Sequence, residues 1–280
     1  MNDPVDFTPG RPTQIAPGVI RIVAPNASAM TGPGTNTFVL GSPPSAVLDP
    51  GPADPAHLRA ILEVVPAPAQ IFVTHTHRDH SPLAAPLAQR TGATRVGRAP
   101  PDDGRQDTSF VADQEPASDQ CFAVGALALR AIHTPGHASN HVCWLFESAQ
   151  LLFSGDHILD GVTPVILHPD GDMAAYLESL SRLRRYPLRS IAPGHGRVLA
   201  NPVAVIDGIL AHRARRERVV MEALSRTPGS TLDELLPSAY FDVGPAIWSM
   251  ARLSLEANLV KLEREGRVRR DVQQWYVAES

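Results

Sequence analysis

The stretch "FVTHTHRDHSPL", residues 72 to 83, constrains this chain more than any other. An apolar run that reads as a buried strand ends in three histidines and an aspartate packed between His75 and His80. Imidazole and carboxylate are costly to bury unpaired, so such a strand ends either at the surface or at something that binds these groups. The second outcome requires a cation. His75 and His77 are two apart, so at an extended strand end both project to one side. Asp79 and His80 follow at a turn, with Ser81 placed to cap a helix, Pro82 at its first position and Pro86 delaying or kinking it. One short segment thereby aims four ligands at one point from two directions, as two adjacent cations require.

The placement recurs downstream. "LALRAIHTPGH" ends at His137, "QLLFSGD" at Asp156 and "RSIAPGH" at His195. Strand ends on one rim of a sheet are where a fold converges distant residues, so the repetition is itself evidence for a site. The strands "GVIRIVA", "NTFVLG", "SAVLD", "QIFVTH" and "HVCWLFE" complete the pattern, with "DPAHLRAILEVV" and "DMAAYLESLSRLRRY" at helical spacing between them. Such alternation is that of an α/β domain. The two cysteines, Cys121 and Cys143, form neither a disulfide framework nor a C-x-x-C pair, so any metal rests on nitrogen and oxygen.

Near residue 201 the texture changes to long helical periodicity. "NPVAVIDGILAHRARRERVVMEALSR" is one helix, Thr231 and Glu234 form a capping box at a second, and a third closes at Gly266. "RVRRDVQQWYVA" folds as two short strands. Three helices and a β-wing outline a winged helix, giving a metal-binding domain over residues 1–200 and a winged-helix-like domain over 201–280. No internal repeat is visible.

No 18-residue apolar window exists, and "MNDPVDFTPGRP" lacks the basic and apolar segments of a signal peptide. The expectation is a soluble cytoplasmic protein with no membrane partner, and a homodimer is open. A net charge of −4 argues against a chain that is basic all over, although "HRARRER" (212–218) and "RVRR" (267–270) offer a local cationic groove, with a solvated helix face and wing as the plainer reading.

The ordered set H-x-H-x-D-H, T-P-G-H, strand-end G-D and late histidine resembles the metallo-β-lactamase superfamily over about residues 15 to 200. With "GTNTFVLG", "AHRARRERV" and "NLVKLEREGRV" the likeness extends to the winged-helix-bearing subfamily that includes the mitochondrial lactamase-like endoribonuclease, and also polyketide-releasing thioesterases. The resemblance implies an αββα sandwich in which His75, His77 and His137 bind a first metal, Asp79, His80 and His195 a second, and Asp156 bridges them. It also places Thr35 and Asn36 at the site mouth. Pro82 and Leu83 stand where relatives often carry glycines, and Asp156 stands where antibiotic-cleaving members carry cysteine or serine, which argues against a true β-lactamase.

Two zinc ions, with iron or manganese also compatible with nitrogen and oxygen ligands, would lower the pKa of a bridging water from 15.7 toward about 7 and so supply a hydroxide nucleophile. Asp79 would bind the second metal and accept a hydrogen bond from that hydroxide. The expected substrate by resemblance is a single-stranded RNA phosphodiester. The alternative is a thioester, ester or lactone, and the outside alternative is a non-enzymatic nucleic-acid-binding regulator that senses metal. His133, His141 and His157 are expected to support ligands from behind or to be structural, with Asn36 and His141 as candidates to meet ligands or substrate. His57, His168 and His212 are assigned to surface or helix roles, and Trp144 and Trp248 to the core.

Overall fold

The computed structural model describes residues 5–278; residues 1–4, which open the stretch read against a targeting signal, lie outside it. The chain begins with a meander of β1 (Thr13–Ala16), β2 (Val19–Val23), β3 (Asn36–Gly41) and β4 (Pro44–Leu48). Helix α1 (Pro55–Val64) crosses to β5 (Gln70–Phe72), and α2 (Ala84–Thr91) to β6 (Thr94–Val96). Crossovers of this kind make parallel pairs, so the first sheet is antiparallel from β1 to β4 and parallel from β4 to β6.

The second half repeats the arrangement. Strands β7 (Cys121–Val124), β8 (Leu127–His133), β9 (Val142–Phe146) and β10 (Leu151–Gly155) form an antiparallel meander, and α3 (Met173–Leu183) crosses to β11 (Ser190–Pro193), parallel to β10. The edge strand β12 (Leu199–Ala200) closes this sheet. The repeat lies in topology and leaves no trace as a periodic sequence.

The sheets face each other. All five residues of β9 are buried, and they divide with period two: Val142, Trp144 and Phe146 enter the core between the sheets, while Cys143 and Leu145 enter the layer under the helices. Phe38 meets Phe153 with ring centroids 4.8 Å apart, and Phe72 meets Trp144 at 4.9 Å, so aromatic contacts span the sandwich. The Trp144 indole N–H donates to the Val73 carbonyl at 3.2 Å. Leu58, Ile61 and Leu87 of α1 and α2 cover the outer face of the first sheet, and Tyr176, Leu180 and Leu183 of α3 cover the second. The outcome is the αββα sandwich.

Beyond it lie α4 (Pro202–Arg226), α5 (Leu232–Ala239), α6 (Trp248–Arg264) and the hairpin of β13 (Val268–Asp271) and β14 (Gln274–Val277), a winged helix. The Thr231 and Glu234 capping box is formed in both directions. Helix α4 spans two cores: Ile206 and Ile209 pack with α3 and the second sheet, whereas Val220, Ala223 and Leu224 pack with α5 and α6. A cut near residue 201 therefore falls at the start of a helix that both parts share. Among the described residues, no helix is long and apolar enough to cross a membrane.

Candidate metal centre

Strands β5, β8, β10 and β11 each lead into a loop that carries one or more of the polar residues singled out above. Strands β8, β10 and β11 point one way in the second sheet, so their following residues emerge on one rim. Two backbone bonds stitch that rim to the first sheet: Val142 N–H donates to Thr74 O, and Asn36 N–H to Gly194 O, both at 2.7 Å. The turn before His195 fits only because it is glycine, since a Cβ on Gly194 would lie 2.6 Å from Asp156 Oδ1 and 2.7 Å from the His80 ring.

The seven side chains gather into two groups, His75, His77 and His137 in one, Asp79, His80, Asp156 and His195 in the other, each able to present one donor atom per residue to a metal ion. Asp156 faces both groups. Its Oδ1 is 3.4 Å from His80 Nε2 and 3.3 Å from His195 Nε2, and its Oδ2 is 3.8 Å from His137 Nε2. Asp79 Oδ2 approaches His195 Nε2 at 3.2 Å and His80 Nε2 at 3.4 Å, and its side chain is 26% exposed, which puts it at the open side.

Outer hydrogen bonds decide which ring nitrogen is turned inward. His137 Nδ1 meets the Val165 carbonyl at 2.9 Å, and His195 Nδ1 the Gly34 carbonyl at 3.3 Å, so both carry hydrogen at Nδ1. His80 Nδ1 meets Asp49 Oδ2 at 2.9 Å. Thr74 Oγ1 donates to Asp49 Oδ2 at 2.8 Å, which leaves it to accept from His75 Nδ1 at 3.0 Å. Four imidazoles thus present an inward Nε2. His77 Nδ1 lies 2.8 Å from His75 Nε2 and 3.0 Å from His137 Nε2. A single N–H on His77 satisfies one of those lone pairs and not the other, whereas a cation within reach of all three satisfies them together. In the second group His80 Nε2 and Asp156 Oδ1 are buried without a hydrogen-bond partner among the described residues. The donor set fits metal.

Electrostatics separate the groups. Burial, followed by the neighbouring His137, holds His77 down to about 3, and burial with His80 holds His75 well below the usual imidazole range. Burial opposes charge on His195 too, but Asp156 and Asp79 outweigh it and lift the imidazole to about 9; His80 is raised in the same way by Asp79, Asp156 and Asp49. Burial likewise works against ionised Asp79 and Asp156, and the facing His80 and His195 overcome it. His75 and His77 offer neutral nitrogens, and the second group draws positive charge.

Two of these placements need correction. Ser81 does not cap α2: its hydroxyl donates to Asp107 Oδ2 at 2.7 Å, and the helix starts at Ala84 with Leu83 at the cap position and no side-chain bond. Asn36 is buried behind the mouth, where its amide donates to the carbonyls of Pro193 and Gly196 at 2.9 and 3.0 Å and so clasps the His195 turn from both ends. Of the surface and helix roles left open for His57, the helix role holds: it lies in α1 and is buried, with Nε2 2.8 Å from Thr37 Oγ1. His141 lies behind the cluster, its ring 5.1 Å from that of His75, with Nδ1 2.9 Å from Thr134 Oγ1. Thr35 is buried and reaches Asp79 Oδ2 at 3.4 Å.

Several arginines of the two stretches are engaged within the winged helix. Arg216 is 6% exposed and grips Asp242 at 2.8 and 2.9 Å, Glu217 pairs with Lys261 and Arg267, and Arg270 packs over the Trp275 ring.

Asp49 escaped the sequence reading. It takes Thr74 N–H at 2.7 Å on Oδ1 while Oδ2 holds Thr74 and His80, so it orients His80 directly and His75 through Thr74. The signal was present, since "SAVLD" ends in an acid just as "LLFSGD" does. If the second group holds a divalent metal, Asp49→Ala should lower its affinity for added zinc by about 10- to 100-fold, the usual cost of removing a residue that orients a ligand. Chelator competition measures this, and wild-type zinc retention would remove Asp49 from that role.

A family model described as the metallo-beta-lactamase superfamily matches residues 30–195, and one described as the beta-lactamase associated winged helix domain matches residues 231–275. The chain is 33% identical over 278 residues to the beta-lactamase-like protein 2 homolog of Drosophila melanogaster, covering 92% of this chain and 91% of that protein. It is 30% identical over 288 residues to an atrochrysone carboxyl ACP thioesterase of Paecilomyces divaricatus, covering 94% and 86%. The crystal structure of a beta-lactamase domain protein from Burkholderia ambifaria matches with a TM-score of 0.81 at 19% identity, over 99% of this chain and 96% of that one, a likeness of fold.

Proposed function

The chain belongs to the metallo-β-lactamase superfamily and is a hydrolase of it, and we propose that it is a binuclear zinc enzyme cleaving acyl thioesters. The observation that carries the substrate is the 30% identity, over 94% of the chain, with a protein named as an acyl-carrier thioesterase. The single-stranded RNA reading came from the subfamily resemblance, and of the arginines that could add a cationic groove to it, Arg216, Arg267 and Arg270 are engaged within the winged helix. The thioester alternative is therefore the better supported of the two.

Zinc held by the two groups would polarise a thioester carbonyl and bring the pKa of water from 15.7 toward about 7. The chain supplies the rest. Val165, Gly34, Asp49 and Thr74 fix the inward nitrogens of His137, His195, His80 and His75, so the ligands need no reorganisation. Asp79, ionised and at the open side, accepts a hydrogen bond at its carboxylate from the water that attacks and so aims a lone pair at the carbonyl carbon. Thr35 Oγ1 steadies that carboxylate. Asp156 faces both groups and would set the separation of the two ions.

Zinc-loaded protein should release free thiol from an acyl-coenzyme A or an acyl-N-acetylcysteamine, and a His77→Ala variant should not. Thiol release by both would expose a contaminant. Failure of the wild type on both thioesters, combined with cleavage of a quenched RNA oligonucleotide that His77→Ala lacks, would return the substrate to RNA.

A further inference from the structure

Arg213 of α4 is 4% exposed and has no carboxylate in ion-pair range among the described residues. A buried guanidinium without an acid is expensive, so its neutral partners are informative. Arg213 Nη2 donates to the Pro164 carbonyl at 2.5 Å, and its Cζ sits 5.4 Å from the centroid of the Tyr176 ring. Arg216, one turn along the same helix, shows the ordinary solution: a two-pronged pair with Asp242 inside the winged helix.

Both contacts of Arg213 lead to the segment that runs from Asp156 into the loop after it. The Tyr176 hydroxyl donates to the carbonyl of His157, the residue after Asp156. Pro164 precedes Val165, whose carbonyl accepts the Nδ1–H of His137. Among the described residues, no backbone-to-backbone hydrogen bond involves residues 159 to 166. The Pro164 carbonyl accepts from Arg213 and the Val165 carbonyl from His137, and Ile166 belongs to the same buried core cluster as Ile206 and Ile209 of α4.

We propose that Arg213 is a positioning residue for the first metal group, holding the 164–165 segment so that the Val165 carbonyl keeps His137 protonated at Nδ1 and its Nε2 turned toward His77. This rests on the reading of His75, His77 and His137 as metal ligands. The helix that joins the two cores then carries a part of the metal centre that the sandwich alone does not supply.

The test compares full-length Arg213→Met, Arg213→Lys and Arg216→Met with wild type, reading zinc retained under graded chelator, thermal stability, and kcat and KM for thiol release. Arg213→Met should lose zinc affinity by about tenfold, the lower end of the range for residues that orient ligands because it acts one step further out. Arg213→Lys, which keeps a cationic donor for Pro164 O, should recover part of it. Arg216→Met should lose thermal stability with zinc affinity unchanged. Wild-type zinc affinity in Arg213→Met, or equal losses in Arg213→Met and Arg216→Met, would overturn the proposal. Should Arg213→Met not fold, Arg213→Lys decides: zinc affinity at the wild-type level together with a lowered melting temperature counts against it, and weakened zinc at an unchanged melting temperature supports it. Normal zinc binding in a wild type that releases no thiol would sink the thioester reading and leave this one standing.

Discussion

Asp156→Asn should yield a folded protein that hydrolyses thioesters on the order of 10³-fold more slowly, about 4 kcal/mol of lost transition-state stabilisation. The substitution keeps the volume and removes the charge. In the wild type, Oδ1 faces His80 and His195, and Oδ2 faces His137. An amide presents one acceptor and one donor there, so one of the two groups meets N–H where it needs an oxygen lone pair. The same variant should retain clearly less zinc per chain, measured by mass spectrometry after dialysis. Undiminished turnover with two zinc ions would show that Asp156 is not shared between them.

Gly136→Ala should act through the fold. Gly136 has φ +144°, and a Cβ there would lie 2.3 Å from Tyr176 Cα and 2.6 Å from Tyr176 N. The obstacle is backbone in the first turn of α3, whose start is held by Asp172 N–H donating to Gly136 O at 2.8 Å and by the Asp172 side chain capping Ala175 N–H at 2.9 Å. Nothing flexible can give way. Overpacking and the unfavourable backbone conformation together should cost about 3 kcal/mol or more, which for a chain of this size lowers the melting temperature by roughly 10 °C. His137 is the next residue, so zinc affinity should fall as well. Thermal melts with and without zinc measure both effects, and a melting temperature within error of wild type would mean that α3 shifts freely.

The gathering of the seven polar side chains was legible in the sequence because its signals are local. Four of the seven clustered residues lie within His75 to His80, and the other three each end an apolar run, so spacing and strand-end position located them. The edge strands β1, β6, β7 and β12 were not legible. They are two to four residues long and too short to carry a period. The start of α2 was misplaced because Ser81 looks like a cap until Asp107, far along the chain, is seen to take its hydroxyl. Arg216 illustrates the same limit: in "HRARRER" it reads as solvated charge, and only folding brings Asp242 against it. Asn36 stood at a recognisable position, but its part in clasping the His195 turn depends on a backbone more than 150 residues away.

The shared helix α4 also bears on the order in which the protein matures during synthesis. A ribosome that has released the chain through His195 has delivered all seven clustered side chains, yet Ile206, Ile209 and Arg213 are still to come. Until they arrive, the segment from 159 to 166 has neither its core neighbours nor its cation, and the surface that α4 will cover is open to water. Nascent chains therefore pass through a stage in which the ligands are present but incompletely held. If these side chains hold metal, the site would be fully braced only once α4 is in place, and a chain ended before α4 would leave exposed the apolar surface that Ile206 and Ile209 cover.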